Sequence, residues 1–336
     1  MSDQTTSGLA APHPMPGFDG QWDSPESYII GVTHQIWEER GVDKLKYLYG
    51  DDILVRFPGG FTLGNQTVIE NTWATLEEFP DRQLLGEDVI WSDDHQGGFL
   101  SSHRLLSTAT HTGNGAFGPA TQTKLVYRTL ADCAARQNTI YDEWLVRDLG
   151  AIVRQIGHAP QDFAARQIQD EGGPESAARP LTRDTSPAAI YLGRGNDHPV
   201  GLRYEELLAA VAAGDTSVVE SGWDRALQIE LPGGNTGHGW GAVTAFWTDL
   251  RTAIGDATLQ IEHRIGRSDP ALGERAALRW WLSGTHTGDG VFGPATGAQV
   301  DIMGISHAEF GPWGLRREWV LFDEVAVWKQ ILLAAK

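Results

Sequence analysis

Two carboxylates and two histidines recur along this chain at one spacing. Glu143 and Glu318 each stand directly before a tryptophan, Trp144 and Trp319, and His111 and His286 each open a glycine-rich stretch. The stretches read His-Thr-Gly-Asn-Gly-Ala-Phe-Gly-Pro-Ala-Thr over 111–121 and His-Thr-Gly-Asp-Gly-Val-Phe-Gly-Pro-Ala-Thr over 286–296. The offset of 175 residues continues downstream without a gap, setting Asp148 on Asp323 and Gln155-Ile156 on Gln330-Ile331. Carboxylates and histidines are side chains that move protons near neutral pH, and a carboxylate does so best in an apolar cavity, where loss of water raises its pKa. The chemistry on offer is proton transfer without a cofactor.

The elements that must hold these groups also come in two sets. A repeat of this length exceeds the roughly 20 to 50 residues of a solenoid unit and reads as a duplicated domain. Residues 24–40 place Tyr28, Ile29, Val32, Ile36 and Trp37 at helical spacing, with Ser24-Pro25 suited to the start. A short helix over 42–49, a β-type run over 52–57 stopped by Pro58-Gly59-Gly60, and a helix over 67–79 follow. The pattern then changes to strands at 83–91, 97–110, 124–134 and 139–146, with a turn at Gln137-Asn138. Asp148 starts a closing helix that Gly157 stops. The order predicts an α+β fold, a curved antiparallel sheet with helices on one face. The second copy repeats Pro-Gly-Gly at 232–234, Trp247 for Trp73, Glu262 for Glu87 and Arg279 for Arg104. The expected organisation is a flexible tail over 1–23, a first domain over 24–158, a linker over 159–200 and a second domain over 201–336.

Composition narrows the function. With 26 basic and 44 acidic side chains among 336 residues, the formal charge is -18, which disfavours nucleic acid as a partner. A lone cysteine, Cys133, forms no internal disulfide and fits a reducing compartment. No stretch is long and apolar enough for a membrane span, and none reads as a signal peptide. The expectation is a cytoplasmic protein with no membrane or nucleic-acid partner. The histidines are scattered, so no metal is expected, and His103 and His111 lie too far apart along one strand to share an ion. The glycine-rich stretch lacks the Lys-Ser/Thr of a phosphate loop.

The repeated His-Thr-Gly…Phe-Gly-Pro-Ala-Thr loop, the Glu-Trp that follows, the Asp, the Gln-Ile-Gly helix end and Phe79-Pro80-Asp81 together resemble the SnoaL-like polyketide cyclases of the nuclear-transport-factor-2-like superfamily. The resemblance implies two tandem cone-shaped barrels, each enclosing one apolar pocket, and a small apolar or aromatic ligand. It also implies pairing through the outer faces of the sheets, here within one chain as a pseudo-dimer, with a further homodimer open. The cyclases close a ring with an acid/base Asp on the last strand. Leu145 and Val320 occupy that position here, so the same mechanism is not carried over. Side chains two apart on a strand share a face. If Leu145 faces the cavity, Glu143 and Tyr141 do too, and Trp144 and Trp319 point away.

The catalytic candidates are therefore Glu143 and His111, with Glu318 and His286 in the second copy. Ligand-binding candidates are Trp73, His103, Arg104, Tyr141 and Asp148, with Trp247 and Asp323. Each has a plainer reading. Glu143 could pair with Arg104, Arg128 or Arg147; His111 could orient its own turn; Asp148 and Asp323 are helix caps first; Cys133 is a buried inert thiol. The first copy is the more polar one, with His103 where the second has Leu278, and is expected to keep the ligand-handling pocket. The reading is a small-molecule binder, if an enzyme then a cofactor-independent cyclase-like lyase, isomerase or dehydratase. The alternative is a non-catalytic binding or assembly module.

Overall fold

The computed structural model describes residues 15–334, and the expectation for residues 1–14 lies outside them. The first half runs α1 (Pro25–Thr33), α2 (Leu45–Leu48), β1 (Tyr49–Phe57), β2 (Gly60–Leu63), α3 (Asn65–Glu78), β3 (Gln83–Asp93), β4 (Gly98–Thr110), β5 (Lys124–Arg136), β6 (Thr139–Arg147), α4 (Leu149–Gln155) and α5 (Pro160–Asp170). The second runs α6 (Pro199–Ala212), α7 (Val219–Gly222), β7 (Trp223–Leu231), β8 (Asn235–His238), α8 (Gly239–Ala253), β9 (Thr258–Ser268), β10 (Glu274–Thr285), β11 (Gln299–Gly311), β12 (Gly314–Phe322) and α9 (Glu324–Ala334). The strand orders are β2-β1-β6-β5-β4-β3 and β8-β7-β12-β11-β10-β9, one topology twice.

The α+β class holds, with two differences from expectation. Each sheet is open, its first and last strands in that order not pairing with each other, so neither closes into a barrel. Each is also mixed: β1 runs parallel to β6, and β7 to β12, because the chain crosses the width of the sheet before returning to its centre.

The described end of the tail, expected to be loose, is packed, and so is the linker. In the tail, Trp22 meets Tyr28 edge to face, and Phe18 packs on Tyr28 and Phe99. The linker forms α5, which packs along α9 of the second half. Further on, Leu181 and Tyr191 enter the core between the sheets. The anchor is Arg56, which bonds the carbonyls of Pro187 and Ala188 and pairs with Asp142, while Asp142 accepts the amides of Ile190 and Tyr191. Apolar side chains and a satisfied ion pair hold this connection, so it is not a spacer.

The sheets pack on each other through a shared core that includes Leu130, Trp144, Val146, Trp281, Ile305 and Leu321. Two contacts repeat across it. Arg104 lies over the Trp319 ring at 3.4 Å, and Arg279, 175 residues on, lies over the Trp144 ring at 3.6 Å. The polar partners differ. Asp132 takes a 2.5 Å bond from Arg279, whereas His307, at the same place in the second sheet, lies 3.2 Å from Arg104 and 2.8 Å from the Ser102 hydroxyl. Burial and Arg104 hold the His307 pKa well below the usual histidine value, so the neutral ring accepts from Arg104 through Nδ1 and donates to Ser102 through Nε2. Asp148 adds a further link, accepting the amides of Gly233 and Gly234 at 2.9 Å each. Both glycines have positive φ, which aims consecutive amides at one carboxylate.

Removing one member of a buried ion pair leaves the other charged and dry, at about 3–5 kcal/mol. Arg279→Met is expected to lose stability in that range by urea denaturation, and Asp132→Asn, which keeps a hydrogen-bond acceptor, to lose less. A loss below roughly 1 kcal/mol for Arg279→Met would show that the contact does not hold the sheets together.

Candidate functional site

Because the outer face of each sheet is committed to its partner, the other face of each strand must look toward the helices. In the first domain that face borders a cavity of about 620 Å³. Its walls are His103 and Leu105 from β4, Thr129, Ala131 and Cys133 from β5, and Glu143, Leu145 and Arg147 from β6. Helix α1 contributes Ile29 and Val32, and α3 contributes Val68, Thr72 and Thr75. Arg82 lies at the start of β3. Phe163 and Gln167 of α5, with Asp323 of the second domain, complete the far side.

Glu143 sits in this wall with 7% of its surface exposed and no ion pair among the described residues. Burial pushes its carboxyl up to about 7, against the hydrogen bond of Tyr49 and the more distant charge of Arg147, which favour the anion. Two of the three arginines that could have neutralised it are engaged elsewhere, Arg104 with Glu87 and Glu309 and Arg128 with Glu87 and Glu230, and the third, Arg147, makes no ion pair with it among the described residues. Burial also lowers His103 to about 4, so it is neutral at pH 7, and raises the Cys133 thiol well above its usual range. The thiol is therefore not a nucleophile here.

The other sequence candidates lie apart from Glu143. His111 is fully buried, with Nδ1 3.0 Å from the Thr121 hydroxyl and Nε2 3.3 Å from Glu78. Glu78 accepts the amides of Ala116 and Phe117, so this pair shapes the glycine-rich turn, whose Gly115, Ala116 and Phe117 line the cavity while His111 does not. His286 meets Thr296 in the same way. Tyr141 packs toward the inter-sheet core and under Arg136, because a bulge between Ala134 and Ala135 interrupts its register with β5 and breaks the alternation that would have aimed it inward. Arg104 faces the other sheet. Trp73 is 44% exposed on the outer side of α3, whereas Trp247 is buried in the second core. Asp148 caps α4 through the amide of Ala151, and Asp323 caps α9 through that of Val325. Burial raises these two carboxyls to about 6 and about 7.

The second domain fills the corresponding space. Trp280 replaces Leu105 and lies where Gly304 replaces Thr129; a Cβ on Gly304 would stand 2.2 Å from the indole. Ser306, at the place of Ala131, accepts from the Trp280 ring nitrogen at 2.9 Å. Glu318 is fully buried, with one oxygen bonded by the Tyr204 hydroxyl at 3.0 Å and the other by the Trp223 ring nitrogen at 2.8 Å. Burial raises it to about 7, as for Glu143, but its bonding capacity is spent inside the core.

A sequence model described as a SnoaL-like domain matches residues 204–317. Residues 204–317 form a SnoaL-like domain. The first half repeats its strand order. Similar solved structures include IdmH from Streptomyces antibioticus, at 20% identity over 40% of this chain and 99% of that one, TM-score 0.36. TsrD from Streptomyces laurentii shows 18% identity over 40% and 96%, TM-score 0.35. A SnoaL-like polyketide cyclase from Agrobacterium tumefaciens shows 21% over 38% and 94%, TM-score 0.31. No curated protein matches the chain. Among the described residues, no helix is long and apolar enough to cross a membrane, and no cluster of three or more His, Cys, Asp or Glu could hold a metal ion.

Of the residues that line this cavity, Glu143, His103 and Asp323 are candidates on sequence grounds, Arg82, Phe163 and Gln167 are not, and Arg147 figures there only as a structural partner. Arg147 was within reach, since it lies on the same strand face as Glu143 and Leu145. Phe163 and Gln167 belong to the stretch read as a linker, and nothing in their spacing ties them to the cavity.

Glu318 gives a pH test. Its folded pKa of about 7 exceeds the roughly 4.3 of an unfolded glutamate, so the folded state binds the proton more tightly. The stability this contributes is fully present below about pH 4 and is lost as pH rises through about 7. Urea midpoints of Glu318→Gln and the native chain at pH 5 and pH 8 should show the native advantage shrinking with pH. An advantage that grows would contradict the assignment.

Proposed function

We propose that the first domain binds a small, largely apolar molecule in its cavity and that Glu143 exchanges a proton with it, as a base or acid in a cofactor-independent isomerisation, cyclisation or dehydration. The observation that carries this reading is a buried, ion-pair-free carboxylate in the wall of a cavity of about 620 Å³, with a pKa raised to about 7. A cavity of that size matches small-molecule sites, and a pKa near neutral lets one group both take and return a proton. His111 has no part in this proposal, because its ring is fully buried against Thr121 and Glu78 and is not among the residues that line the cavity.

The two halves are read as copies of one ancestral unit, of which the second has become a scaffold. The scaffold reading rests on Trp280 in the pocket position and on Glu318 bonded at both oxygens. The second domain is then the non-catalytic module, and it also supplies Asp323 to the first domain's cavity.

The test uses 2-acetonaphthone, an aromatic ketone with exchangeable methyl protons. Its hydrogen–deuterium exchange in D2O, followed by NMR, should be accelerated by the protein, with a rate that rises with pH through about 7 as Glu143 ionises. Glu143→Gln should remove roughly 10²- to 10⁴-fold of the acceleration. The double variant Leu105→Trp and Thr129→Gly, which copies the second domain's filling into the first, should remove binding while leaving the chain folded. Unchanged exchange in both variants would sink the proposal.

A further inference from the structure

Buried arginines in this chain come with carboxylates. Arg56 has Asp142, Arg104 has Glu87, Arg275 has Asp88 and Arg279 has Asp132. This is the usual rule, since a buried charge without a counter-charge is costly. The cavity wall breaks it at Arg82, and the half-buried Arg147 beside it is unpaired as well. Arg82 is 4% exposed and Arg147 is half-buried, and among the described residues neither forms an ion pair. The Nε atoms of both are buried without a hydrogen-bond partner. The side-chain hydrogen bond Arg82 does make is with the Tyr127 hydroxyl, and its charged neighbours are Arg40 and Arg147, both cationic. Burial lowers its pKa to about 10, which leaves it charged at neutral pH.

The carboxylates of the same cavity do not neutralise this pair. Glu77 is exposed and forms no ion pair with either among the described residues, Glu78 is bound to the glycine-rich turn, and Asp323 caps α9. Glu143 is close enough for Arg147 to favour its anion but makes no ion pair with it. The filled domain supplies an internal control. At the offset of 175 residues, Arg82 becomes Ala257 and Arg147 becomes Phe322. Where the cavity has been closed, both cations have been dropped; where it is open, both are retained. Cation retention therefore goes with an open cavity and not with the fold itself.

We infer that Arg82 and Arg147 form an anion subsite, and that the ligand of the first domain carries a carboxylate at one end of an apolar or aromatic body. A guanidinium presents paired donors in a plane, which matches a carboxylate held by two bonds. The apolar body then lies along Leu105, Leu145, Ile29 and Val32, within reach of Glu143. The inference rests on the reading of this cavity as a ligand site and adds the charge of the ligand to it.

The test compares 2-naphthoate with 2-naphthamide, a neutral analogue of nearly equal shape, by calorimetry on the full chain at pH 7.5. The acid should bind at least roughly tenfold more tightly. Arg147→Met should bring its affinity down to that of the amide and leave the amide's affinity unchanged. Arg147→Lys, which keeps the charge, should retain part of the preference. Equal binding of the two probes by the native chain, or an unchanged ratio in Arg147→Met, overturns the anion subsite and leaves the ligand cavity standing. If neither probe binds, the cavity reading falls and the subsite falls with it. The ratio in the native chain decides the point even where a variant fails to fold.

Discussion

The crossed stacking of Arg104 on Trp319 and of Arg279 on Trp144 constrains the rest of this structure. A strand has two faces, and these contacts commit one of them on each sheet to the other half of the chain. With Trp144 turned outward, Glu143, Leu145 and Arg147 are turned inward without any further instruction. The desolvation that raises Glu143 follows from the same geometry, since the outer face is sealed by the second sheet and the inner one by helices. The pairing also explains why the linker is ordered. Arg56 and Asp142 fasten it, and it delivers Leu181 and Tyr191 to the inter-sheet core and, through α5, Phe163 and Gln167 to the cavity.

The same frame carries two different interiors. In the second domain a glycine at 304 admits the Trp280 ring, Ser306 fixes the indole, and Tyr204 with Trp223 satisfies Glu318. In the first, smaller side chains at these places leave space, and the polar groups that line it are incompletely bonded. A fully packed core is worth more to stability than a hollow one, so a cavity with unpaired arginines and a neutral-range glutamate is costly to the fold that holds it. Such an arrangement in one half and a filled interior in the other is what division between a working site and a supporting one predicts.

Much of this was legible in the residues. The repeat exposed the two halves, strand alternation set Glu143 inward and Trp144 outward, and turn chemistry at Gln137-Asn138 marked the β5–β6 hairpin. Alternation failed at Tyr141 because a one-residue bulge reverses the faces before it, and a bulge leaves no periodic signal. His111 looked chemical by type, but its partners are Thr121, ten residues on, and Glu78, on another element, which spacing does not reveal. The parallel β1–β6 pair was missed because pairing across a crossover depends on contacts distant in sequence. The significance of Arg82 and Arg147 emerges only when their lack of a partner is seen beside the well-paired arginines elsewhere.

The central claim is that the first domain's interior handles a ligand and the second's does not. The direct measurement is a crystal of the full chain soaked with 6-bromo-2-naphthoate and analysed by bromine anomalous scattering. The account predicts one strong peak inside the first domain, between Glu143 and the two arginines, and none inside the second. A peak within the second domain's core, or bromine at the protein surface alone, would contradict it.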